Sequence, residues 1–267
     1  MSVLAATVLL AYAATRFVEL PNQEVSFQAP GIFLSFQLNF QVIVSFIAAA
    51  LAAAGMDWLI SDHPAFTDPH HSIAQERGSH FQHWLLPALT AWVIGVPLSN
   101  LPDGPAWWVV FALGGILLMV VFLAEYIVVD PSDIRHPPAA AGLTALSFAL
   151  TLMLAIAVRA SSLRLYLVLP TLVTVASLVA LRTVYLRTGG KWAIAWAIGI
   201  GLIIGQVAIG LHYLPLRPIQ YGLLILAPLY ALASVASLAQ ENVPLRRGAA
   251  EPVIMLLVLW GLAFWLK

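Results

Sequence analysis

Nearly the whole chain is a succession of apolar segments about 20 residues long, and this pattern restricts the fold more than any motif. A helix needs about 20 mostly apolar residues to cross a bilayer, because lipid offers its backbone no hydrogen-bond partners. Nine such segments are found, separated by short connections that contain most of the prolines. They cover Ser2–Val18, Phe33–Ile60, Ser79–Leu98, Ala106–Val129, Ala139–Val158, Leu163–Leu186, Trp192–Leu211, Ile219–Ala239 and Val253–Trp265.

Composition supports the same class of protein. Hydrophobic residues make up 61% of the chain and charged residues 9%, whereas an average soluble domain is about 25% charged. The sequence therefore predicts an all-α, polytopic membrane bundle of eight to nine transmembrane helices, forming a single domain over residues 1–267 without a soluble domain. A net charge of zero argues against nucleic-acid binding, and the absence of cysteine excludes disulfides.

The first segment has two interpretations. Ala11-Tyr12-Ala13 has the small-x-small pattern of a signal-peptide cleavage site. No lysine or arginine precedes the apolar stretch, however, and a signal peptide normally begins with positive charge. We therefore expect this segment to be retained as a helix.

The start of the second segment is also ambiguous. Ser35 and Gln37 alternate with Phe36 and Leu38, a period of two that is unusual for a helix facing lipid. If the stretch is helical, Gln37 and Gln41 share a face that must avoid lipid. The competing interpretation is a short extended or re-entrant stretch before the helix.

Polar chemistry is concentrated on one side of the predicted bundle. We call this side the even face, because it carries the connections after the second, fourth, sixth and eighth segments. Six of the seven histidines lie there, as do nine of the twelve acidic residues, namely Asp57, Asp62, Asp68, Glu76, Glu125, Asp130, Asp133, Glu241 and Glu251. Seven of the twelve basic residues also lie on the even face. The positive-inside rule thus predicts an integral protein of the cell (inner) membrane with the N-terminus and even connections in the cytoplasm.

The densest polar cluster runs from Asp62 to His83 and predicts a metal site. Neutral imidazole and carboxylate are ligands of zinc, and a catalytic zinc site needs about three of them. No known metalloenzyme spacing is present, and a solvated polar loop is the alternative. The candidate ligands of a divalent metal such as zinc are His63, Asp68, His70, His71, His80, His83 and His136.

Two ionisable residues fall inside predicted spans. Glu125 and Arg182 each lie about one helical turn from the even face, so they reach similar depths. Ionisable residues within spans are rare and usually face the bundle interior. We therefore predict an intramembrane Glu125–Arg182 pair.

The seventh segment has a stripe of small residues. Ala193, Ala197, Gly201 and Gly205 recur every four positions. Such a stripe lets two helices approach closely and predicts helix packing rather than nucleotide binding.

Three functional classes follow from these features. Small connections and the lack of a catalytic motif favour a non-enzymatic binding or accessory subunit of a membrane complex, with the bilayer and other membrane subunits as partners. The histidine and aspartate cluster favours a metal-dependent enzyme acting on a lipid-like substrate. The charges within the spans favour a transporter of small molecules or ions. Whether the protein is an enzyme is left open by the sequence.

Overall fold

The structure of the protein is a computed structural model. It describes residues 1–15, 17–18, 23–29, 32–38, 40–63, 81–102, 104–161, 163–244 and 248–266. The helices are α1 Ser2–Ala14, α2 Phe40–Ser61, α3 Phe81–Asn100, α4 Pro105–Val128, α5 His136–Ala160, α6 Leu165–Arg187, α7 Ile194–His212, α8 Pro218–Gln240 and α9 Ala250–Trp265. Two short strands, β1 Gln23–Ala29 and β2 Ile32–Leu38, lie between α1 and α2.

The prediction of a helical membrane bundle is confirmed. Seven helices, α2 to α8, are long and apolar enough to cross a bilayer. Within the described ranges, α1 and α9 are apolar but shorter, with 13 and 16 residues. At 1.5 Å per residue a helix of that length extends roughly 20–24 Å, less than the ~30 Å hydrocarbon core. The nine predicted spans thus correspond to seven helices of spanning length and two shorter ones.

The second predicted span starts later than its apolar pattern indicated. Residues Ile32–Leu38 form β2, which pairs with β1 in antiparallel register, Gln23 opposite Leu38 and Ala29 opposite Ile32. Helix α2 begins at Phe40. The helical interpretation of this stretch was wrong and the extended one is confirmed, because alternation with a period of two matches a strand. Gln37 therefore lies in β2, not on a face of α2 with Gln41.

Prolines and glycines mark the helix boundaries as their backbone chemistry requires. Pro105 and Pro218 begin α4 and α8, where the missing proline N–H would have no partner within the helix. Helix α6 is followed by Gly189 and Gly190, whose φ values are 63° and 105°. The N–H of Gly190 donates to the carbonyl of Tyr185 at 3.0 Å and so closes the end of α6.

The chain divides into two compact units, Met1–Asp133 and Ile134–Lys267. In the first unit, α1 packs against α2, α3 and α4, and α3 lies between α2 and α4 in the contact pattern. Tyr12 of α1 is 1% exposed, and its hydroxyl donates to the carbonyl of Ala91 at 2.6 Å. Gly95 allows this close approach, because a Cβ there would lie 2.8 Å from the Tyr12 hydroxyl. The prediction of a single domain over the whole chain stays a prediction.

The second unit is organised around α8. This helix contacts α5, α6, α7 and α9, and many of its residues between Tyr221 and Ser237 are buried. At its N-terminal end, the Gln220 side chain donates to the carbonyl of Leu266 at 2.8 Å and so holds the end of α9. Helices α6 and α7 form the other close pair, in which the small-residue stripe takes part. Ala197, Gly201 and Gly205 are buried there, which confirms the predicted packing role.

Candidate functional site

A buried histidine–glutamate pair occupies the first unit. Nδ1 of His83, near the start of α3, lies 2.8 Å from Oε2 of Glu125, near the end of α4. Glu125 is fully buried and His83 is 4% exposed. Helices α3 and α4 bring these residues together because a short connection makes them antiparallel neighbours. Both residues lie at the helix ends away from that connection.

Burial makes this contact energetically important. Moving either charge from water into a low-dielectric interior has a penalty of several kcal/mol, which only a close partner with good geometry offsets. The buried residues that precede Glu125 in α4 are apolar, since Leu118, Val121 and Phe122 are each 0% exposed. Nε2 of His83 also lies 3.1 Å from Nε2 of the Gln82 side chain. The imidazole and the carboxylate thus stabilise each other near one end of the unit.

His63 lies in the same unit, two residues after the end of α2. Its ring centroid is 4.3 Å from that of Tyr126, the residue after Glu125, and His63 is 8% exposed. Burial lowers the pKa of His63, because a charged imidazole loses hydration, and the negative charge of Asp130 partly opposes that shift. The neutral form of His63 is therefore favoured in the folded protein.

The pKa shift of His63 leads to a prediction about pH. Because the folded pKa lies below the ordinary value of about 6.5, the unfolded chain binds a proton more readily than the folded chain. The contribution of His63 to stability is thus intact above about pH 6.5 and is lost as the pH falls below it. We expect acidification to lower the melting temperature in detergent less in His63→Gln than in the wild type. An equal decrease in both proteins would contradict the assignment, and His212→Gln is the matched control.

The predicted metal ligands are only partly placed. His63 and His83 both lie in the first unit, while His136 begins α5 in the second unit. Asp68, His70, His71 and His80 lie outside the described residues. Within the part of the chain that the structure describes, no three histidine, aspartate or glutamate side chains are grouped closely enough to hold a metal ion. The zinc site stays a prediction that depends on residues 64–80.

The predicted partner of Glu125 was Arg182, and the structure assigns Glu125 a different neighbour. Arg182 is 1% exposed in α6, with its guanidinium carbon 5.5 Å from the ring centroid of Tyr185. Glu125 and Arg182 belong to different units, so their pairing stays a prediction. The His83–Glu125 contact was missed by the sequence reasoning. The signal that could have revealed it is that His83 and Glu125 lie at similar sequence separations from the short α3–α4 connection.

A group of polar side chains in contact with one another lies in the second unit. Nη1 of Arg187 donates to Oγ of Ser234 at 2.7 Å, and the guanidinium lies over the Tyr230 ring, 5.4 Å from its centroid. The Tyr230 hydroxyl donates to Glu251. A cavity of about 570 Å³ adjoins this group and has His136 and Thr144 among its lining residues. These contacts join α6, α8 and α9 at the ends that the sequence assigns to the even face.

Comparison with known proteins adds a family to this geometry. Residues 20–266 match DUF5656, which is described as a protein of unknown function. The chain belongs to the DUF5656 family. In this DUF5656 protein the match includes both strands and every helix from α2 to α9, and it begins after α1. No curated protein and no solved structure matches the chain. The family description assigns no chemistry to the His83–Glu125 pair, so its role is argued from the contacts alone.

Proposed function

We propose that this protein is a non-enzymatic, proton-responsive binding protein of the membrane, with the His83–Glu125 pair as its proton-binding centre. The observation that supports this is the 2.8 Å contact between two ionisable side chains that are almost completely buried. Ionisable residues at membrane depth usually serve ion or proton chemistry, since otherwise their burial is unfavourable. Histidine is also the side chain whose charge changes near neutral pH.

The surroundings favour proton exchange with one face of the membrane. Among the described residues, the titratable groups at the ends of α2 and α4 include Asp57, Asp62, His63, Tyr126 and Asp130, and α1 contributes Tyr12. The described core of the unit consists mainly of apolar residues. A centre with polar neighbours on one side suits a sensor or accessory subunit better than a transport path, which needs access from both sides.

The remaining features of this proposal come from the sequence. We propose that the even face lies on the cytoplasmic side of the cell (inner) membrane, because it holds seven of the twelve basic residues. Other membrane subunits are the proposed partners, together with the bilayer. A metal-dependent enzyme stays the alternative, and its support is the group of predicted ligands within residues 64–80.

Direct proton counting tests the proposed centre. Purified protein in weakly buffered detergent solution is taken from about pH 8 to about pH 5, where an unperturbed histidine titrates and an exposed glutamate is largely ionised. An indicator dye reports the protons taken up per chain. We expect Glu125→Gln to take up about one proton fewer than the wild type, because the amide keeps the shape of the carboxyl group but lacks the negative charge that would hold a proton on the pair.

Glu241→Gln is the matched control, because Glu241 is an exposed glutamate at the end of α8. The Glu241→Gln variant should take up as many protons as the wild type. If Glu125→Gln also takes up as many protons as the wild type, the pair is a structural contact and the proposal fails. Metal analysis of the same purified protein addresses the alternative, since a stoichiometric bound metal would support the enzyme.

A further inference from the structure

A cavity of about 450 Å³ opens in the second unit where the α5–α6 and α7–α8 connections meet. It combines an apolar wall with three polar side chains. The polar members are Arg159, His212 and Tyr221, and the apolar wall includes Val158, Leu163 and Leu216. None of these residues belongs to the proton-binding centre proposed above. A cavity with one apolar side and a few convergent polar groups is the usual form of a small-molecule site.

Arg159 supplies a positive charge that its contacts do not neutralise. It lies in the last turn of α5, and its guanidinium donates to three backbone carbonyls of the α7–α8 connection. The distances are 3.4 Å to Leu216, 3.1 Å to His212 and 2.8 Å to Leu214. A guanidinium carries five N–H groups, so two remain available after these three bonds. Because carbonyl oxygens are uncharged, these bonds do not neutralise the positive charge of the guanidinium.

Tyr221 supplies a second donor, and its state is unusual for a buried residue. It is 1% exposed, and its hydroxyl has no hydrogen-bond partner in the described ranges. Nearly all buried polar groups have such a partner, because an unsatisfied hydroxyl is unfavourable. Cζ of Arg159 lies 5.7 Å from the Tyr221 ring centroid, and both residues line the same cavity.

We propose that this cavity binds a phosphate group, with the free N–H groups of Arg159 and the hydroxyl of Tyr221 as donors. Phosphate oxygens accept such charge-assisted hydrogen bonds well, and arginine suits them because its N–H groups form a planar fork. The phosphate is either the headgroup of an anionic lipid or a free phosphate ion. The apolar wall beside the donors adds contact area for an acyl chain, which favours the lipid.

Tyr221→Phe is the variant that tests this site. The hydroxyl has no protein partner among the described residues, so its removal should leave the folding of the full-length chain intact. The thermal stability of the ligand-free variant should equal or slightly exceed that of the wild type. Tyr213→Phe is the matched control, because Tyr213 is 76% exposed and does not line the cavity.

The probes are phosphatidylglycerol in mixed micelles and inorganic phosphate, each titrated against the purified protein while the melting temperature is recorded. Zwitterionic phosphatidylcholine and chloride at equal ionic strength are the reference conditions. A ligand that binds the folded state stabilises it by RT ln(1 + [L]/Kd), so the rise in melting temperature at a known ligand concentration reports the affinity. We expect Tyr221→Phe to bind the effective probe at least ~10-fold more weakly than the wild type, since a hydrogen bond to a charged group contributes about that factor.

The two titrations also distinguish the sources of the phosphate group. A Tyr221-dependent effect of phosphatidylglycerol alone assigns the cavity to a lipid headgroup, and one of inorganic phosphate assigns it to the free ion. Equal affinity in the wild type and Tyr221→Phe for both probes overturns the proposal, as does the absence of any stabilisation. Arg159→Lys provides a second check, because it keeps the charge but loses the planar fork, and it should also weaken binding.

Discussion

His83→Leu is expected to lower the free energy of unfolding by about 3–5 kcal/mol, the usual effect of leaving a buried charge without its partner. The carboxylate of Glu125 is fully buried and loses the imidazole that lies 2.8 Å away. Leucine fills much of the vacated volume, so the loss reflects the interaction more than a cavity. Chemical unfolding of the purified protein in mixed micelles measures the change. His136→Leu is the control, because His136 is a partly exposed histidine at the start of α5.

The double variant His83→Leu/Glu125→Leu separates pairing from simple loss of a side chain. When both partners of a buried pair are replaced by apolar residues of similar volume, the result is often close to neutral. We therefore expect the double variant to be more stable than His83→Leu alone. Additive destabilisation would mean that the two side chains do not stabilise each other, and it would remove the basis for a proton-binding centre.

Gly201→Ala is expected to have the second large effect, a destabilisation of about 1–3 kcal/mol by overpacking. A Cβ at this position would overlap Oγ of Ser177 in α6 and lie 2.8 Å from the backbone carbonyl oxygen of Val173. A serine side chain can rotate away, but a backbone carbonyl within a helix cannot. Helices α6 and α7 must therefore move apart, and thermal unfolding in detergent reports the loss of their contacts.

A matched control lies two residues earlier on the same helix. A Cβ at Gly199 would meet no atom within 4 Å in the described part of the chain. Gly199→Ala should be neutral or stabilising by about 0.5–1 kcal/mol, because alanine loses less backbone entropy than glycine in a helix. Equal effects of Gly199→Ala and Gly201→Ala would show that helix propensity, not the α6–α7 approach, controls stability here.

The positions of the helices could be predicted because segment length and apolar content are local properties. Prolines supported the same division, since most of them lie in the connections between the segments. Four others lie inside helices, namely Pro87 and Pro97 in α3, Pro170 in α6 and Pro228 in α8. The strand Ile32–Leu38 was harder to predict, because its residues are nearly as apolar as those of a span. Only the alternation of polar and apolar positions distinguished it.

The candidate site was less predictable, because a partner depends on which helices are neighbours. Glu125 had two potential partners at similar depth, Arg182 and His83, and depth alone does not choose between them. The short α3–α4 connection favours His83, since it makes those helices adjacent and antiparallel. The hydroxyl of Tyr221 gave no signal in the sequence at all, because its lack of a partner is a property of the folded unit.

The hairpin of β1 and β2 has a consequence for the sidedness of the first unit. The described sheet has two strands, so each strand presents an outer edge of backbone N–H and C=O groups. Hydrocarbon does not tolerate such open edges, so we expect the hairpin to lie in the aqueous or headgroup layer. Helix α2 begins two residues after β2 and is long enough to cross the bilayer. Its far end, at Ser61, is therefore expected on the side of the membrane opposite the hairpin, and the proposed proton-binding centre would exchange protons with that side.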